Sequence, residues 1–221
     1  MTTDTPKFAL RRDTLKKSEA KKEIQAPETD LHYIIFDIET MNTFDQVGSR
    51  DVLALDISLL VTWDSQTQEY KTYMHDELDT LWPTLEQTDM LIGYNSDHFD
   101  IPLLNKYYPG DLTAIKSLDL MAEIQKHLGR RLRLDDVAAA TLGTKKSGNG
   151  LDAIRWWQAG EIDKIAKYCQ KDVEITKQVF DYMMEHDSVK YKDFNKKKDL
   201  TIDTSDWLKP KEFAMTHTLG F

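Results

Sequence analysis

The chain has 221 residues, of which 40% are hydrophobic and 10% aromatic, so it can form one globular domain with a complete core. No apolar run approaches the roughly 20 residues that a membrane helix requires, and the opening residues lack the apolar segment of a secretory signal. A single cysteine, Cys169, excludes an internal disulfide framework and a cysteine-rich zinc site. We therefore expect a cytoplasmic protein that makes no contact with a membrane.

The net charge of −9 is unfavourable for a protein that binds nucleic acid, because phosphates attract basic surfaces. Two features weaken this objection. Acidic residues that bind metal count toward the total although bound cations would neutralise them, and the basic residues are clustered. The clusters lie at residues 7–22, 130–146 and 190–198, where each alone is typical of a solvated surface. Net charge therefore neither supports nor excludes a nucleic-acid partner.

Composition divides the chain into three parts. Residues 1–29 are charged and poor in large apolar side chains, which predicts a flexible basic N-terminal arm. Residues 30–187 carry the regular hydrophobic patterns of a folded domain. Residues 188–221 form a C-terminal extension with a weak strand signal at Val189–Tyr191.

Hydrophobic patterns predict the elements of the folded domain in chain order. Short runs rich in β-branched and aromatic residues predict strands over residues 32–38, 52–63, 68–74, 89–95 and 115–118. Helical periodicity predicts helices over residues 76–87, 98–108, 119–128, 134–142, 150–158 and 161–186, with a loop at 147–150.

Three strands joined by short turns, followed by alternating strands and helices, imply an α/β fold with a mixed sheet flanked by helices. The order fits a ribonuclease-H-like sheet, in which the first three strands are antiparallel and the later ones parallel. Other α/β folds fit as well, so the fold alone does not determine the function.

Two acidic residues occupy alternate positions at the end of the first predicted strand. Residues two apart on a strand point to the same face, so Asp37 and Glu39 project together while Ile38 points into the core. Like charges held close raise each other's pKa unless a cation compensates them, and hard oxygen ligands favour Mg²⁺ or Mn²⁺. The alternative is a pair of ordinary strand-end acids. The same spacing recurs at Asp172 and Glu174, but a helix would separate those side chains by about 200°.

A third acidic residue follows the fourth predicted strand. That strand ends in Gly93–Asn95, and Asp100 lies just inside the next helix, so its carboxylate can face the sheet edge at which Asp37 emerges. The alternative is helix capping, for which Ser96 and Asp97 are suitable residue types. Capping explains those two residues better than it explains Asp100.

The last pattern lies on the long predicted helix. Residues four apart on a helix lie on one face about 6 Å apart, so Tyr168 and Asp172 can address one point. The same spacing at Tyr33–Asp37 falls on a strand, where it separates side chains by about 13 Å. The copy at Tyr107–Asp111 spans a Pro-Gly break. The helical copy therefore has the suitable geometry, and the neighbouring Cys169 is interpreted as a buried core thiol.

With these three patterns in place, the segments Phe36–Thr40, Asn95–Asp100 and Tyr168–Asp172 resemble the motifs of the DEDD superfamily of 3′–5′ exonucleases. The chain is most similar to the tyrosine branch (DEDDy), especially the exonuclease domains of family B DNA polymerases and their free-standing ribonuclease-H-like relatives. The histidine branch would carry His one position before Tyr168, where this chain has Lys167. The resemblance covers roughly residues 31–186 and makes residues 30–187 the expected exonuclease domain.

The resemblance implies a catalytic set of Asp37, Glu39, Asp100, Tyr168 and Asp172. Two divalent cations, Mg²⁺ or Mn²⁺, would be its cofactors. Asp37, Glu39 and Asp172 would hold one cation, and Asp37 and Asp100 the other. Tyr168 would orient the attacking water.

The resemblance also implies substrate contacts. Thr40 and Met41 fall where relatives hold the 3′ terminus of the substrate, and Asn95 falls where they contact the scissile strand. Separately, Arg130 and Arg131 belong to a basic cluster that either grips phosphates of the incoming strand or is solvated at helix ends. The other members of this cluster are Arg133, Lys145 and Lys146.

Two adjacent tryptophans, Trp156 and Trp157, could stack on bases. Their position on a predicted helix favours a core role for one and partial exposure for the other.

We expect a metal-dependent 3′–5′ exonuclease that acts on the 3′ end of single-stranded DNA or RNA and releases nucleoside 5′-monophosphates. The resemblance favours DNA, while the residues themselves do not distinguish the two sugars. One alternative is a catalytically silent nucleic-acid-binding module of the same fold. Another is a hydrolase limited to short oligonucleotides. Protein partners are not predicted by the sequence.

Overall fold

The computed structural model describes residues 29–144, 150–194 and 196–210, and its central feature is a five-stranded sheet. In chain order the strands are β1 (Tyr33–Thr40), β2 (Ile57–Asp64), β3 (Tyr70–Met74), β4 (Met90–Gly93) and β5 (Lys116–Asp119). The helices are α1 (Phe44–Val47), α2 (Trp82–Leu85), α3 (Asp100–Asn105), α4 (Leu120–Leu128), α5 (Leu134–Thr141), α6 (Gly150–Gln158) and α7 (Ile162–His186). None of the helices in the described segments has the length and apolar character needed to cross a bilayer.

The sheet has the order β3-β2-β1-β4-β5. The pairs β1–β2 and β2–β3 are antiparallel, whereas β1–β4 and β4–β5 are parallel. The predicted mixed sheet, with three antiparallel strands followed by parallel ones, is therefore confirmed. Its central strand is β1, the strand that carries Asp37 and Glu39.

Apolar side chains cover both faces of the sheet. Alternate residues of β1 divide between the two faces, with Tyr33 and Ile35 on one and Ile34 and Phe36 on the other. The first face packs against α7 and residues of α4, α5 and α6. The second packs against α3 and the segment that contains α2. Because strands buried on both faces need apolar residues at every position, β1 and β2 appear in the sequence as nearly continuous hydrophobic runs.

Two predicted elements differ from the structure near their starts. The strand predicted from residue 52 begins only at Ile57, because residues 52–54 form a 3₁₀ turn in which the side chain of Asp51 accepts the N–H of Leu53 at 3.0 Å. The helix predicted over residues 76–87 is a 3₁₀ helix followed by α2. Pro83 has no N–H and is tolerated only in the first turn of a helix, so a new helix begins there.

The chain continues after α7 into a two-stranded hairpin of β6 (Ser188–Asp193) and β7 (Lys196–Thr201). The strand signal at Val189 anticipated β6, but five of the six side chains of the lysine-rich β7 are exposed, so its apolar pattern is absent from the sequence. Val189, Ile202 and Trp207 are buried in the same core as α7, and Trp207 stacks on Phe180 at 6.3 Å between ring centroids.

Several predictions fall outside the described residues. They are the N-terminal arm up to residue 28, the segment 145–149 that contains most of the predicted loop, and the end of the C-terminal extension from residue 211.

The turn after β4 depends on a close backbone approach at Gly93. A Cβ atom built on this glycine would lie 2.4 Å from the Cβ of Ser96 and 2.6 Å from its Oγ. Ser96 is fully buried and cannot move aside. Gly93 therefore allows the loop that follows β4 to fold back tightly toward the end of β1.

We expect Gly93→Ala to lower the free energy of unfolding by about 1–3 kcal/mol, because it overpacks this turn. Because Ser96 is the clashing residue, adding Ser96→Gly should recover part of the loss. Chemical denaturation of the two single variants and the double variant measures this coupling. Strictly additive effects would show that the contact between these two residues is not the cause.

Candidate active site

The first two acids of the site extend from the central strand. The last paired residues of β1 and β4 are Ile35 and Ile92, so the end of β1 projects beyond its parallel neighbour. Asp37 and Glu39 share the face of β1 that packs toward α7, while Ile38 is buried in the core of the other face. Carboxylate oxygens of Asp37 and Glu39 lie within 4.8 Å of each other.

The register of the strands changes immediately after these acids. Glu39 pairs with Leu59, but Thr40 pairs with Ile57, so Ser58 of β2 forms a bulge. The bulge places Ile57 on the opposite face from Leu59. The regular pairing of β1 with β2 therefore includes both Asp37 and Glu39, and it is interrupted directly after Glu39.

The third acid, Asp100, is the first residue of α3 and is only 5% exposed. Its Oδ1 accepts a hydrogen bond from the backbone N–H of Ile38 at 3.1 Å. This N–H lies past the last paired residue of β4, so the carboxylate takes the place of a strand partner. The hydrogen bond fixes Asp100 between the two acids of β1.

The helix-capping alternative for Ser96 and Asp97 is wrong. The residue before α3 is Phe99, and no side chain caps the helix. Ser96 is instead buried against Gly93, and Asp97 accepts a hydrogen bond from the hydroxyl of Ser117. Neither side chain therefore accepts a backbone N–H of the first turn of α3.

The long helix α7 contributes Tyr168 and Asp172, as their spacing predicted. The carboxylate of Asp172 lies close enough to the phenol of Tyr168 that its charge raises the pKa of the phenol. The ring of Tyr168 also packs edge-on against Trp156, with the ring centroids 5.9 Å apart. Trp156 thus holds the phenol in place, and both tryptophans of α6 are partly buried against the core.

Cys169 is fully buried in the core, as predicted, and its thiol also contacts Asp37. Its Sγ donates to the backbone oxygen of Asp37 at 3.3 Å and to the Oδ2 of the same residue at 3.4 Å. Burial and the nearby charges of Asp37 and Glu39 raise the pKa of the thiol well above its ordinary value. The thiol therefore stays protonated and links α7 to the end of β1.

The four carboxylates form one electrostatic unit. Burial raises the pKa of Asp37 well above its ordinary value, and the charges of Asp100, Glu39 and Asp172 raise it further. The pKa of Glu39 is raised by burial and by the charges of Asp172 and Asp100. Burial raises the pKa of Asp100 to about 7, although its hydrogen bond from Ile38 acts in the opposite direction. Without a bound cation, ionisation of Asp37, Glu39 and Asp100 is therefore unfavourable.

This donor set suits hard divalent cations. All four acids offer oxygen ligands, and a bound cation would relieve the repulsion that raises the pKa values of Asp37 and Glu39. The sulfur of Cys169 lies within 4.8 Å of the oxygens of Asp37 and Glu39, but a protonated thiol is a poor ligand for Mg²⁺ or Mn²⁺.

Asn95 lies in the loop between β4 and α3, in the left-handed backbone conformation with φ of 68°. Asp119 holds this loop, since its carboxylate accepts the N–H of Asn95 at 2.8 Å and that of Asp97 at 3.2 Å. The same carboxylate caps α4. Sequence analysis missed Asp119, although its place between β5 and α4 is a typical capping position.

Thr40 and Met41 lie where β1 enters its loop to β2. The hydroxyl of Thr40 donates to the backbone oxygen of Asn42 at 2.9 Å, and the N–H of Met41 donates to the backbone oxygen of Asp56 at 2.8 Å. Thr40 and Glu39 border a cavity of about 230 Å³, which is also lined by Leu151 and Ile154 of α6. Of the two, Thr40 is thus the one that borders an open space beside the acids.

The predicted basic rim has other partners in the structure. The guanidinium of Arg130 lies 5.9 Å from the ring centroid of Tyr191 in β6, and the Nε of Arg131 donates to Gln125 at 3.2 Å. Both arginines are exposed. Their contact with substrate remains a prediction, and Lys145 and Lys146 lie outside the described residues.

Comparison with known proteins agrees with the topology. A sequence profile of the RNase_H superfamily matches residues 34–184, from β1 almost to the end of α7. Among solved structures, the family B DNA polymerase from the hyperthermophilic archaeon Pyrobaculum calidifontis superposes with a TM-score of 0.56 at 18% sequence identity. The match covers 72% of this chain and 25% of the polymerase chain. No curated protein sequence matches the chain.

At this identity the polymerase shows a shared fold. The resemblance to family B DNA polymerases is confirmed at the level of the fold, and so is the ribonuclease-H-like sheet. The profile match spans well over half of the chain. This protein therefore belongs to the RNase_H superfamily.

Proposed function

We propose that the protein is a metal-dependent 3′–5′ exonuclease that hydrolyses single-stranded nucleic acid, with DNA favoured over RNA, to nucleoside 5′-monophosphates. Superfamily membership supports a nuclease function. The observation that carries the proposal is the electrostatic unit of Asp37, Glu39, Asp100 and Asp172. The charges of Asp100 and Asp172 raise the pKa values of both Asp37 and Glu39, and ionising the buried group is costly unless the site binds cations.

Asp37, Glu39 and Asp172 would hold one divalent cation, and Asp37 and Asp100 a second. Two cations bound there would supply the charge neutralisation that phosphodiester hydrolysis needs and would make water a better nucleophile. The protein provides the positions of the oxygen ligands. Asp100 is held by the N–H of Ile38, and Asp37 by the thiol of Cys169.

Tyr168 would orient the attacking water. Burial and the charges of Asp172 and Glu39 raise the pKa of its phenol, so it keeps its proton at any working pH. It is therefore suited to hydrogen bonding and unsuited to acting as a base. Its edge-on contact with Trp156 restricts the ring to one direction.

The alternative of a catalytically silent binding module is less well supported. Such a module has no use for four mutually repelling acids, and replacing any one of them would relieve the repulsion. All four are present. The alternative of a hydrolase limited to short oligonucleotides is compatible with the site, and the dependence of cleavage on substrate length separates it from the primary proposal.

Asp37→Asn should abolish degradation of single-stranded oligonucleotides, because it removes the carboxylate assigned to both cations. The assay follows 5′-labelled DNA and RNA with Mg²⁺ or Mn²⁺, and the wild type should produce a ladder that shortens from the 3′ end. Asp181→Asn is a matched control, since Asp181 is a buried acid that lies on α7 outside this set and pairs with Lys177 at 2.7 Å. Equal ladders from wild type and Asp37→Asn would refute the proposed active site.

Tyr168→Phe should lower kcat by about 10²-fold, as expected for lost positioning of a proton-transfer partner. The affinity for Mn²⁺ should change little, because the four carboxylates remain. Steady-state kinetics and a Mn²⁺ titration make the two measurements. A variant with unchanged kcat would remove Tyr168 from the mechanism.

Without metal, the protein should lose stability as pH rises from about 4 to about 7. A carboxyl whose pKa is higher in the folded state binds more protons when folded, so the free energy of unfolding falls as the pH passes from its unfolded to its folded pKa. For Asp100, whose folded pKa is about 7, the loss should be at least about 1 kcal/mol. Denaturation in chelator at pH 5.5 and 7.5 tests this.

Asp100→Asn should make that pH dependence shallower, because an amide does not titrate. Adding Mn²⁺ to the wild type should raise the unfolding temperature more at pH 7.5 than at pH 5.5, since protons compete with the cation. Identical responses to Mn²⁺ at the two pH values would contradict the proposed site.

A further inference from the structure

The β6–β7 hairpin is a basic surface on an acidic protein. It contains five lysines and two aspartates, whereas the whole chain has a net charge of −9. Val189 fixes the hairpin to the core of α7, and the hydroxyl of Thr141 in α5 donates to the backbone oxygen of Lys190 at 3.1 Å. The guanidinium of Arg130 lies 5.9 Å from the ring centroid of Tyr191 and extends the basic surface. The positive charges are therefore held on a packed element of the fold.

Two lysines of the hairpin face each other across its strands. Lys192 pairs directly with Lys197 in the strand register, and both are exposed. Like charges directly opposite each other destabilise a sheet. Neither lysine forms an ion pair within residues 29–144, 150–194 and 196–210, whereas two other lysines of the hairpin pair with its two aspartates. An anion bound at this pair would remove a repulsion that the fold leaves in place.

The turn of the hairpin carries an aromatic side chain that packing does not explain. Phe194 is 96% exposed and follows directly after β6, with a left-handed backbone φ of 52°. Two-residue hairpin turns with this backbone favour Asn, Asp or Gly, because bulky side chains are strained there. Phe194 thus contributes neither to the core nor to a relaxed turn. An exposed ring beside several cations is instead suited to stacking on unpaired bases.

We propose that the β6–β7 hairpin binds single-stranded nucleic acid at a surface separate from the four acids. Lys192 and Lys197 contact phosphates of the strand, and the ring of Phe194 stacks on one of its bases. A single strand fits both features, whereas an acidic protein segment matches only the charge. This inference rests on the proposed function for the class of the ligand, and it adds a binding surface at which no hydrolysis takes place.

Fluorescence anisotropy of a labelled oligothymidylate of about 20 nucleotides tests the inference. The full chain is titrated in chelator at several KCl concentrations, so that binding is measured without turnover. Lys192→Gln combined with Lys197→Gln should weaken binding and lower the slope of log affinity against log salt by about 1.4, since each phosphate contact of a single strand contributes about 0.7.

Phe194→Asn separates stacking from charge. It should weaken binding about tenfold and leave the salt slope unchanged, because it removes a ring and no cation. Asn tolerates the left-handed backbone better than Phe, so the unfolding temperature should not fall. Weaker binding together with unchanged or higher stability is the result expected of a residue that serves binding. Unchanged binding by Phe194→Asn would remove the stacking contact from the inference and overturn it.

Lys164→Gln combined with Lys209→Gln is the matched control. It removes the same charge from two exposed lysines outside the hairpin, each of which pairs with an acid three residues before it. Affinity and salt slope should change little. Equal losses in the control and in the hairpin double variant would show an effect of total charge and overturn the inference. Equally tight binding of labelled poly-L-glutamate would assign the surface to acidic protein segments and would also overturn it.

Activity with metal separates this inference from the proposed function. If the wild type hydrolyses oligonucleotides but the hairpin variants bind them without metal as tightly as the wild type does, the hairpin surface is refuted and the exonuclease stands. If binding depends on the hairpin but no oligonucleotide is cleaved with Mg²⁺ or Mn²⁺, the hairpin is supported as a nucleic-acid surface and the exonuclease fails.

Discussion

Electrostatic repulsion among four carboxylates is the constraint around which this molecule is organised. Asp37, Glu39, Asp100 and Asp172 come from one strand and two helices, and burial adds to the cost of ionising them together. No local interaction would keep such groups close enough to raise the pKa values of Asp37 and Glu39. The fold keeps them there, because the sheet and its two apolar layers fix each element independently of the acids.

Two hydrogen bonds position the acids of the site relative to the packed helices. The N–H of Ile38 reaches the carboxylate of Asp100 because β4 ends before β1 does. The thiol of Cys169 reaches both the backbone and the carboxylate of Asp37 because α7 crosses the end of β1. Each contact joins a different helix to the same two-residue stretch of strand. Small shifts of α3 or α7 would therefore change the geometry of the whole site.

The parts of the site that could be predicted from the sequence follow a regular period. The alternation of a strand puts Asp37 and Glu39 on one face and Ile38 on the other, and the four-residue spacing of a helix brings Tyr168 to Asp172. The chain order of the predicted elements implied three antiparallel strands followed by parallel ones, as observed. Period and spacing are local properties, so one sequence is enough to infer them.

The parts that could not be predicted depend on contacts between distant residues. Asp119 supports Asn95 across 24 positions, and the contact between Cys169 and Asp37 spans 132. Phe44 and Arg50 border a cavity of about 590 Å³, and Arg50 lies in a loop without a hydrophobic pattern, so nothing in the sequence points to this cavity. The hairpin strand β7 was missed for a related reason. Most of its side chains are exposed, so its place depends on pairing with β6 and not on a buried face.

The bulge at Ser58 marks the boundary between the paired part of β1 and the connection that leads to β2. Up to Glu39, the side chains of β1 are positioned by pairing with β2. The connection from Met41 to Asp56 is instead closed by hydrogen bonds between its two ends, such as that between Asn42 and Asp56. Phe44 and Arg50 belong to that connection. Insertions, deletions or substitutions in this connection can therefore change the surface around Phe44 and Arg50 while Asp37 and Glu39 keep their register with β2.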